Sequence, residues 1–212
     1  TFKSITDYIE NSNGEAEVCI VGVAFPGGVL PEPCRDELIS AIKNGLSIIS
    51  GLHHYLSEDP QFKKIAKQYN VEIEDIRKTK PISDLHFWSG KILDVKTPIL
   101  AILGTDCAVG KRTTARFLME ACQNKNIKTE IIYTGQTGWM QGYKHGFIFD
   151  ATPNDFVSGE LERVILECVD QSNPDLILLE GQSSLRNPSG PAGSELILSG
   201  NVNGVILIPP LG

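Results

Sequence analysis

Short apolar runs alternate with segments of helical periodicity in the first part of the chain. The pattern predicts strands at 17–25, 46–50 and 71–76, and helices at 32–45 and 59–70. Asp59-Pro60 indicates the start of the second helix, and Gly45 indicates the end of the first. Strands that alternate with helices through short connections form a parallel sheet with right-handed crossovers. The first part of the chain is therefore predicted to be an α/β domain.

The same alternation begins again after a polar, proline-punctuated segment at 77–98. The later pattern predicts strands at 98–104, 128–135, 174–181 and 202–210, and helices at 111–126 and 154–172. Residues 174–181 are almost continuously apolar, which is typical of a central parallel strand covered on both faces. We therefore predict two parallel-sheet domains, at residues 1–94 and 95–212.

The stretch GTDCAVGKRTT joins the first strand and helix of the second domain. Glycines allow backbone N–H groups to converge on a phosphate, and the positive end of the helix and a lysine add to the attraction. Five residues separate the two glycines, one more than in the usual loop. We predict that this loop holds the phosphates of a cofactor, through Gly104, Thr105, Asp106, Cys107, Ala108, Val109, Gly110, Lys111, Arg112 and Thr113.

Arg112 stands where most such loops place the Ser or Thr whose hydroxyl holds Mg²⁺. Thr113 does not replace that hydroxyl, because one further residue along a helix rotates a side chain by about 100°. A guanidinium can bind phosphate oxygens in bidentate fashion. Arg112 therefore either contacts phosphate or points to solvent, and in both cases the loop favours binding a phosphorylated cofactor over hydrolysing one.

The charge and composition of the chain disfavour some classes of binding partner. The net charge of −7 argues against nucleic acid or an anionic membrane as a partner. No apolar run is long enough to span a membrane and no signal peptide opens the chain, while five scattered cysteines without a CxxC pair indicate reduced thiols. We therefore expect a cytoplasmic protein. Because the chain lacks an initiating Met and stops just after a predicted strand, we expect both domains to be incomplete.

Glu180 ends the apolar strand at 174–181, and ligands of parallel sheets bind beyond the carboxyl ends of the strands. We predict that Glu180 faces the phosphate loop and acts as the catalytic base; a capping or lysine-paired carboxylate is the alternative. Residues 134–138, including Gln136, form a predicted flexible polar segment at the end of the preceding strand, suited to contact with substrate.

Two families resemble the chain. The loop is similar to that of dethiobiotin synthetase. A closer resemblance covers nearly the whole chain, through GVAFPGG, AIKNGLSIISGLH, GTDCAVGKRTT, DFVSGELE and LLEGQSSL. That family joins an N-terminal Rossmann-like domain to a C-terminal P-loop domain, and some of its members are named D-glutamate N-acetyltransferases. The resemblance implies a Rossmann-like fold followed by a P-loop NTPase-like fold, with Arg112 as a family trait.

The same resemblance implies acetyl transfer from acetyl-CoA to the amine of D-glutamate. The two substrate carboxylates need cationic partners, and Arg186 is the first candidate, with Lys144 second. The resemblance also favours His53, at the end of a strand of the first domain, as a ligand contact. No metal site is predicted, because no Cys or carboxylate stands at ligand spacing from His53 and His54. The glycine pair at 27–28 lacks the full dinucleotide-binding pattern, so NAD binding is not predicted.

The sequence leaves rival functions open. One is an ATP- and Mg²⁺-dependent ligase or kinase of the dethiobiotin synthetase type, and another is a non-catalytic nucleotide-binding module. Dependence on Mg²⁺ separates the first rival from an acetyltransferase. The expected partner is a small amino acid substrate, and a homo-oligomer also remains open.

Overall fold

The computed structural model describes residues 3–12, 15–23, 25, 29–185, 188 and 192–210. The chain divides into two compact units, Thr1–Lys78 and Thr79–Gly212. The division falls within the predicted boundary segment 77–98, earlier than the position between residues 94 and 95 chosen from the sequence. Each unit has its own sheet and its own core.

The N-terminal unit contains three parallel strands in the order β1-β2-β3. Its elements along the chain are α1 (Ile5–Asn11), β1 (Val18–Val21), α2 (Glu32–Lys43), β2 (Ser47–Ser50), α3 (Pro60–Tyr69) and β3 (Ile73–Asp75). The predicted start of α3 is confirmed, because the Asp59 carboxylate accepts from the N–H groups of Gln61 and Phe62 and Pro60 opens the helix. Phe62 and Ile42 are completely buried between the helices and the sheet.

The C-terminal unit contains a five-stranded parallel sheet in the order β6-β5-β7-β4-β8. Its elements along the chain are β4 (Ile99–Gly104), α4 (Lys111–Gln123), β5 (Thr129–Tyr133), α5 (Gln136–Met140), β6 (His145–Gly146), α6 (Asn154–Ser172), β7 (Leu176–Glu180), α7 (Gly193–Ser199) and β8 (Gly204–Ile208). Short 3₁₀ helices cover 82–84, 91–94 and 149–151. The prediction of two α/β parallel-sheet domains is confirmed.

Two cores lie on the two faces of this sheet. Residues of α6 and α7, among them Leu161 and Leu196, pack on one face, and Ala115 of α4 packs on the other. Strand β7 lies between β4 and β5, and its Ile177, Leu178 and Leu179 are all completely inaccessible to solvent. The prediction of a central strand at 174–181 is therefore confirmed. Over the described ranges, no helix has both the length and the apolar character needed to cross a membrane.

Several short elements differ from the sequence prediction. The segment 134–138, predicted to be flexible, instead enters helix α5, which begins at Gln136. Helix α1 buries none of its residues, and strand β6 is only two residues long. Neither element therefore produces an amphipathic pattern in the sequence. Elements of this size are fixed by their neighbours rather than by their own periodicity.

Two buried glutamates of α6 bind the segment that opens the C-terminal unit. The Glu162 carboxylate accepts from the backbone N–H groups of Ser89 and Ile92 at 2.6 and 3.0 Å. The Glu160 carboxylate accepts from the N–H of His86 and forms an ion pair with Arg163. These contacts explain why residues 86–92 belong to the C-terminal unit rather than to a linker.

Replacing Glu162 with Gln should lower the free energy of unfolding by about 1–3 kcal/mol at pH 7, because the amide nitrogen offers no acceptor to one of the two backbone N–H groups. Burial alone would raise the pKa of Glu162, but the N–H groups of Ile92 and Ser89 hold it below its usual range. The stabilisation is thus complete above the ordinary glutamate pKa of about 4.3 and is lost as the pH falls through the lower pKa of the folded protein.

Urea unfolding of both proteins at several pH values measures this difference. Glu167→Gln on the same helix is the control, because the Glu167 side chain is 45% exposed. A Glu162→Gln effect that persists unchanged at a pH well below 4 would contradict a role for the carboxylate charge.

Candidate functional site

The predicted phosphate loop joins the end of β4 to the start of α4. A Cβ atom at Gly104 would lie 2.6 Å from Cγ2 of Val109 and 3.0 Å from the carbonyl oxygen of Asp106, so only glycine lets the loop fold back on the strand. The backbone turns through positive φ angles of 54° at Ala108 and 98° at Gly110 immediately before α4. This path places the N-terminal end of a 13-residue helix at the loop, which favours an anion.

Lys111 lies inside the loop rather than on its surface. The residue is only 8% exposed, and Nζ donates to the carbonyl oxygens of Asp106 at 3.0 Å and Ser183 at 2.6 Å. Burial lowers the pKa of Lys111, while the nearby Cys107 and Glu180 act in the opposite direction. An ammonium group has three N–H donors, so Lys111 keeps a donor for a ligand while the two carbonyls fix its position.

Arg112 contacts the carboxylate that the sequence placed opposite the loop. Its Nε donates to Oε1 of Glu180 at 2.8 Å, and Glu180 is only 2% exposed. The Arg112 side chain is 30% exposed, and its terminal nitrogens have no partner among the described residues. The guanidinium therefore neither points freely to solvent nor is fully used by Glu180, which leaves donors for phosphate oxygens.

Glu180 has one paired and one unpaired carboxylate oxygen. Oε2 is buried without a hydrogen-bond partner among the described residues. Burial raises the pKa of Glu180, and the positive charge of Arg112 only partly opposes the rise. The hydroxyl of Thr134 donates to the Glu180 carbonyl and ties the ends of β5 and β7 together. A carboxylate with a raised pKa and a free oxygen is the arrangement expected of a proton acceptor.

The Arg112–Glu180 pair changes the metal chemistry of the loop. In the usual loop, a hydroxyl after the lysine holds Mg²⁺. Here that position carries a cation whose nitrogen already bonds the acidic residue at the end of β7. Over the described parts of the chain, no group of three His, Cys, Asp or Glu side chains is placed to hold a metal ion. Arg112 supplies no oxygen ligand for Mg²⁺ at this position, and its guanidinium suits phosphate oxygens instead.

Contacts within the loop and with β8 hold some of the remaining loop residues. The N–H of Thr105 donates to Ile208 of β8, which attaches the loop to a second strand. The Asp106 side chain accepts from the N–H of Cys107, and Cys107 and Thr113 are exposed. Their predicted contacts with phosphate stay predictions.

The residues predicted to bind substrate belong to several different segments of the chain. Gln136 is half-buried at the start of α5, just beyond the carboxyl end of β5. His53 is exposed after β2 in the N-terminal unit. Arg186 and the glycines at 27–28 lie outside the described residues. Lys144 is exposed but precedes β6, so it stands at the amino end of that strand and not at the carboxyl edge where ligands are expected.

Sequence reasoning did not single out Tyr143 or the close packing of Gly138 near Glu180. Burial raises the pKa of Tyr143, and the negative charge of Glu180 acts in the same direction. A Cβ at Gly138 would lie 2.2 Å from Cβ of Tyr133 and 3.1 Å from Oε2 of Glu180, so α5 packs closely over the carboxylate. Nothing in the periodicity of this short segment distinguishes these residues from an ordinary loop.

Curated relatives and a solved structure are similar to the chain. It is 32% identical over 193 residues to a D-glutamate N-acetyltransferase from Pseudoalteromonas sp and 32% identical over 173 residues to one from Tritonibacter scottomollicae. These matches cover 91% and 80% of the chain but 56% and 49% of the relatives, so the chain spans about half their length. The crystal structure of a DUF1611 family protein from Anabaena variabilis superposes with a TM-score of 0.86 at 30% identity, over 98% of the chain and 58% of that protein.

Family models assign both units. The model described as a domain of unknown function (DUF1611_N), Rossmann-like domain, matches residues 2–79. The model described as a domain of unknown function (DUF1611_C), P-loop domain, matches residues 86–209. The resemblance and the order of the two folds predicted from the sequence are confirmed. The chain belongs to the DUF1611 family, in which a Rossmann-like domain precedes a P-loop domain.

Proposed function

We propose that the phosphate loop binds the phosphates of acetyl-CoA and that the full-length protein transfers the acetyl group to the amine of an acidic amino acid, D-glutamate. The observation that carries the proposal is the Arg112–Glu180 contact at 2.8 Å. It supplies a fixed cation where hydrolytic loops hold Mg²⁺, and so favours a phosphorylated cofactor that is bound but not cleaved. The name of the relatives supports the reaction and its substrate.

The proposed reaction gives these residues separate roles in cofactor binding and proton transfer. Backbone N–H groups of residues 108–110, Nζ of Lys111 and the terminal nitrogens of Arg112 bind phosphate oxygens. Acetyl-CoA supplies an acetyl group activated as a thioester. Glu180 accepts the proton that the amino group of the substrate must lose, at Oε2, while Arg112 holds Oε1 and fixes the orientation of the carboxylate. Arg186 remains the proposed contact for the carboxylates of the substrate, and Gln136 remains a proposed contact with the substrate.

Calorimetry with acetyl-CoA in the presence of EDTA or Mg²⁺ tests whether the loop binds the cofactor without a metal ion. The wild-type affinity should change less than twofold between the two conditions. Arg112→Thr should weaken binding in EDTA at least fivefold and restore part of it with Mg²⁺, because a hydroxyl replaces the guanidinium at the metal position.

Arg116→Thr is the matched control, since Arg116 lies one turn later on α4, is 48% exposed and pairs with Glu120 instead. It should leave both affinities unchanged. A wild-type protein that binds ATP only with Mg²⁺, in preference to acetyl-CoA, would contradict the proposal and favour an ATP-dependent ligase or kinase. Cofactor binding without turnover by the full-length protein, with any amino acid, would favour a binding module.

A further inference from the structure

A cavity of about 550 Å³ lies beyond the carboxyl end of β7 in the C-terminal unit. Its walls come from the residues after β7, the N-terminal end of α6 and the start of α7. The volume is in the range of small-molecule sites.

The cavity and the phosphate loop share a structural connection. Ser183 lines the cavity, and its carbonyl oxygen accepts from Nζ of Lys111 at 2.6 Å. Gln182, beside it, also lines the cavity and follows directly from β7 and Glu180. A ligand whose phosphates lie on the loop can therefore continue into this cavity without crossing a strand.

Two carboxylates also line the cavity, those of Asp150 and Glu195. The Glu195 carboxylate accepts from the hydroxyl of Ser199. Neither carboxylate attracts further phosphates, so the cofactor's charged portion belongs on the loop.

Neutral polar groups and apolar side chains form the rest of the lining. The amides of Asn154 and Gln182 offer both donors and acceptors, and Phe149 and Val157 provide apolar surface. This combination suits a flexible, uncharged chain that contains amide groups between methylene segments. Pantetheine, the arm that joins the phosphates of CoA to its thiol, has that chemistry.

We infer that this cavity binds the pantetheine arm of the cofactor, with Asn154 and Gln182 as hydrogen-bond partners of its amides. The inference rests on the proposed function, because it takes the phosphates of the same cofactor to lie on residues 104–113. It adds a recognition site that separates CoA from nucleotides with the same phosphates.

The test compares CoA with its nucleotide half, 3′-phospho-ADP, by calorimetry. The wild-type chain should bind CoA at least fivefold more tightly than 3′-phospho-ADP. Ser194→Phe adds a ring to an exposed position on the cavity wall and should reduce that ratio to about one, while the affinity for 3′-phospho-ADP stays within twofold of wild type. Gln171→Phe, at an exposed position of α6 away from the cavity, is the control and should leave the ratio unchanged.

The possible results distinguish the cavity assignment from the loop assignment and from the proposed function. Equal wild-type affinities for CoA and its nucleotide half, or a Ser194→Phe variant that retains the wild-type ratio, would overturn the assignment of the cavity while leaving the loop assignment intact. Absence of binding of either compound would overturn the proposed function and the cavity assignment with it. Saturable binding of D-glutamate that Ser194→Phe abolishes would assign the cavity to the acceptor and overturn the inference. Because the first comparison uses only the wild-type chain, it remains decisive if Ser194→Phe does not fold.

Discussion

Replacing Lys111 with Met should weaken the binding of acetyl-CoA at least tenfold, which corresponds to about 1.4 kcal/mol. Met keeps most of the apolar stem but removes the ammonium group, which is held 3.0 Å from the carbonyl of Asp106 and 2.6 Å from that of Ser183. These bonds fix Nζ inside the loop, so a ligand phosphate meets a cation that needs no further ordering. Calorimetric titration with acetyl-CoA measures the effect.

Lys128→Met is the control, because Lys128 is an exposed lysine outside the loop. Removing it changes the net charge by the same amount without touching the loop. Thermal unfolding of both variants shows whether loss of the Ser183 contact disturbs the fold. Equal affinities of wild type and Lys111→Met, with both proteins folded, would contradict the loop assignment.

The elements that sequence reasoning predicted correctly are those with a strong local signal. Strand β7 is apolar from Leu176 to Leu179, and Ile177, Leu178 and Leu179 are buried on both faces. Helix α3 has Asp59 and Pro60 at its start, and the loop at 104–113 lies between a buried strand and a helix. Hydrophobic period, capping residues and glycine spacing are local properties, so the sequence alone reveals them.

The partners of side chains in the site depend on tertiary packing instead. The sequence placed Arg112 and Glu180 at one edge of the sheet but left open whether Arg112 points to solvent, and the contact depends on the packing of α4 against β7. Likewise, Glu162 and Glu167 on α6 look equivalent in the sequence, yet only Glu162 is buried against backbone N–H groups. The helical segment at Gln136 was predicted to be flexible because five residues carry too little periodicity to identify a helix.

Replacing Glu180 with Gln should reduce turnover by the full-length protein roughly 100-fold, with acetyl-CoA affinity nearly unchanged. Gln keeps the shape and can still accept from Nε of Arg112, so the loop retains its cation. It cannot accept a proton from the amine. The measurement is thiol release from acetyl-CoA with D-glutamate as acceptor and L-glutamate, D-aspartate or no acceptor as comparisons. Loss of binding, with turnover per bound complex retained, would make Glu180 a structural partner of Arg112.

The pH dependence of kcat/KM tests the role of Glu180 independently of the substitution. Burial raises the pKa of Glu180 and the Arg112 charge lowers it, with burial the larger effect. A base must be deprotonated, so kcat/KM should rise with pH through a pKa above that of an ordinary glutamate. Arg112→Thr removes the opposing charge and should move this rise to still higher pH, whereas Arg116→Thr should leave it near its wild-type position. If Arg112→Thr lowers the rate without moving the rise, the titrating group is not Glu180 and the proton is accepted elsewhere.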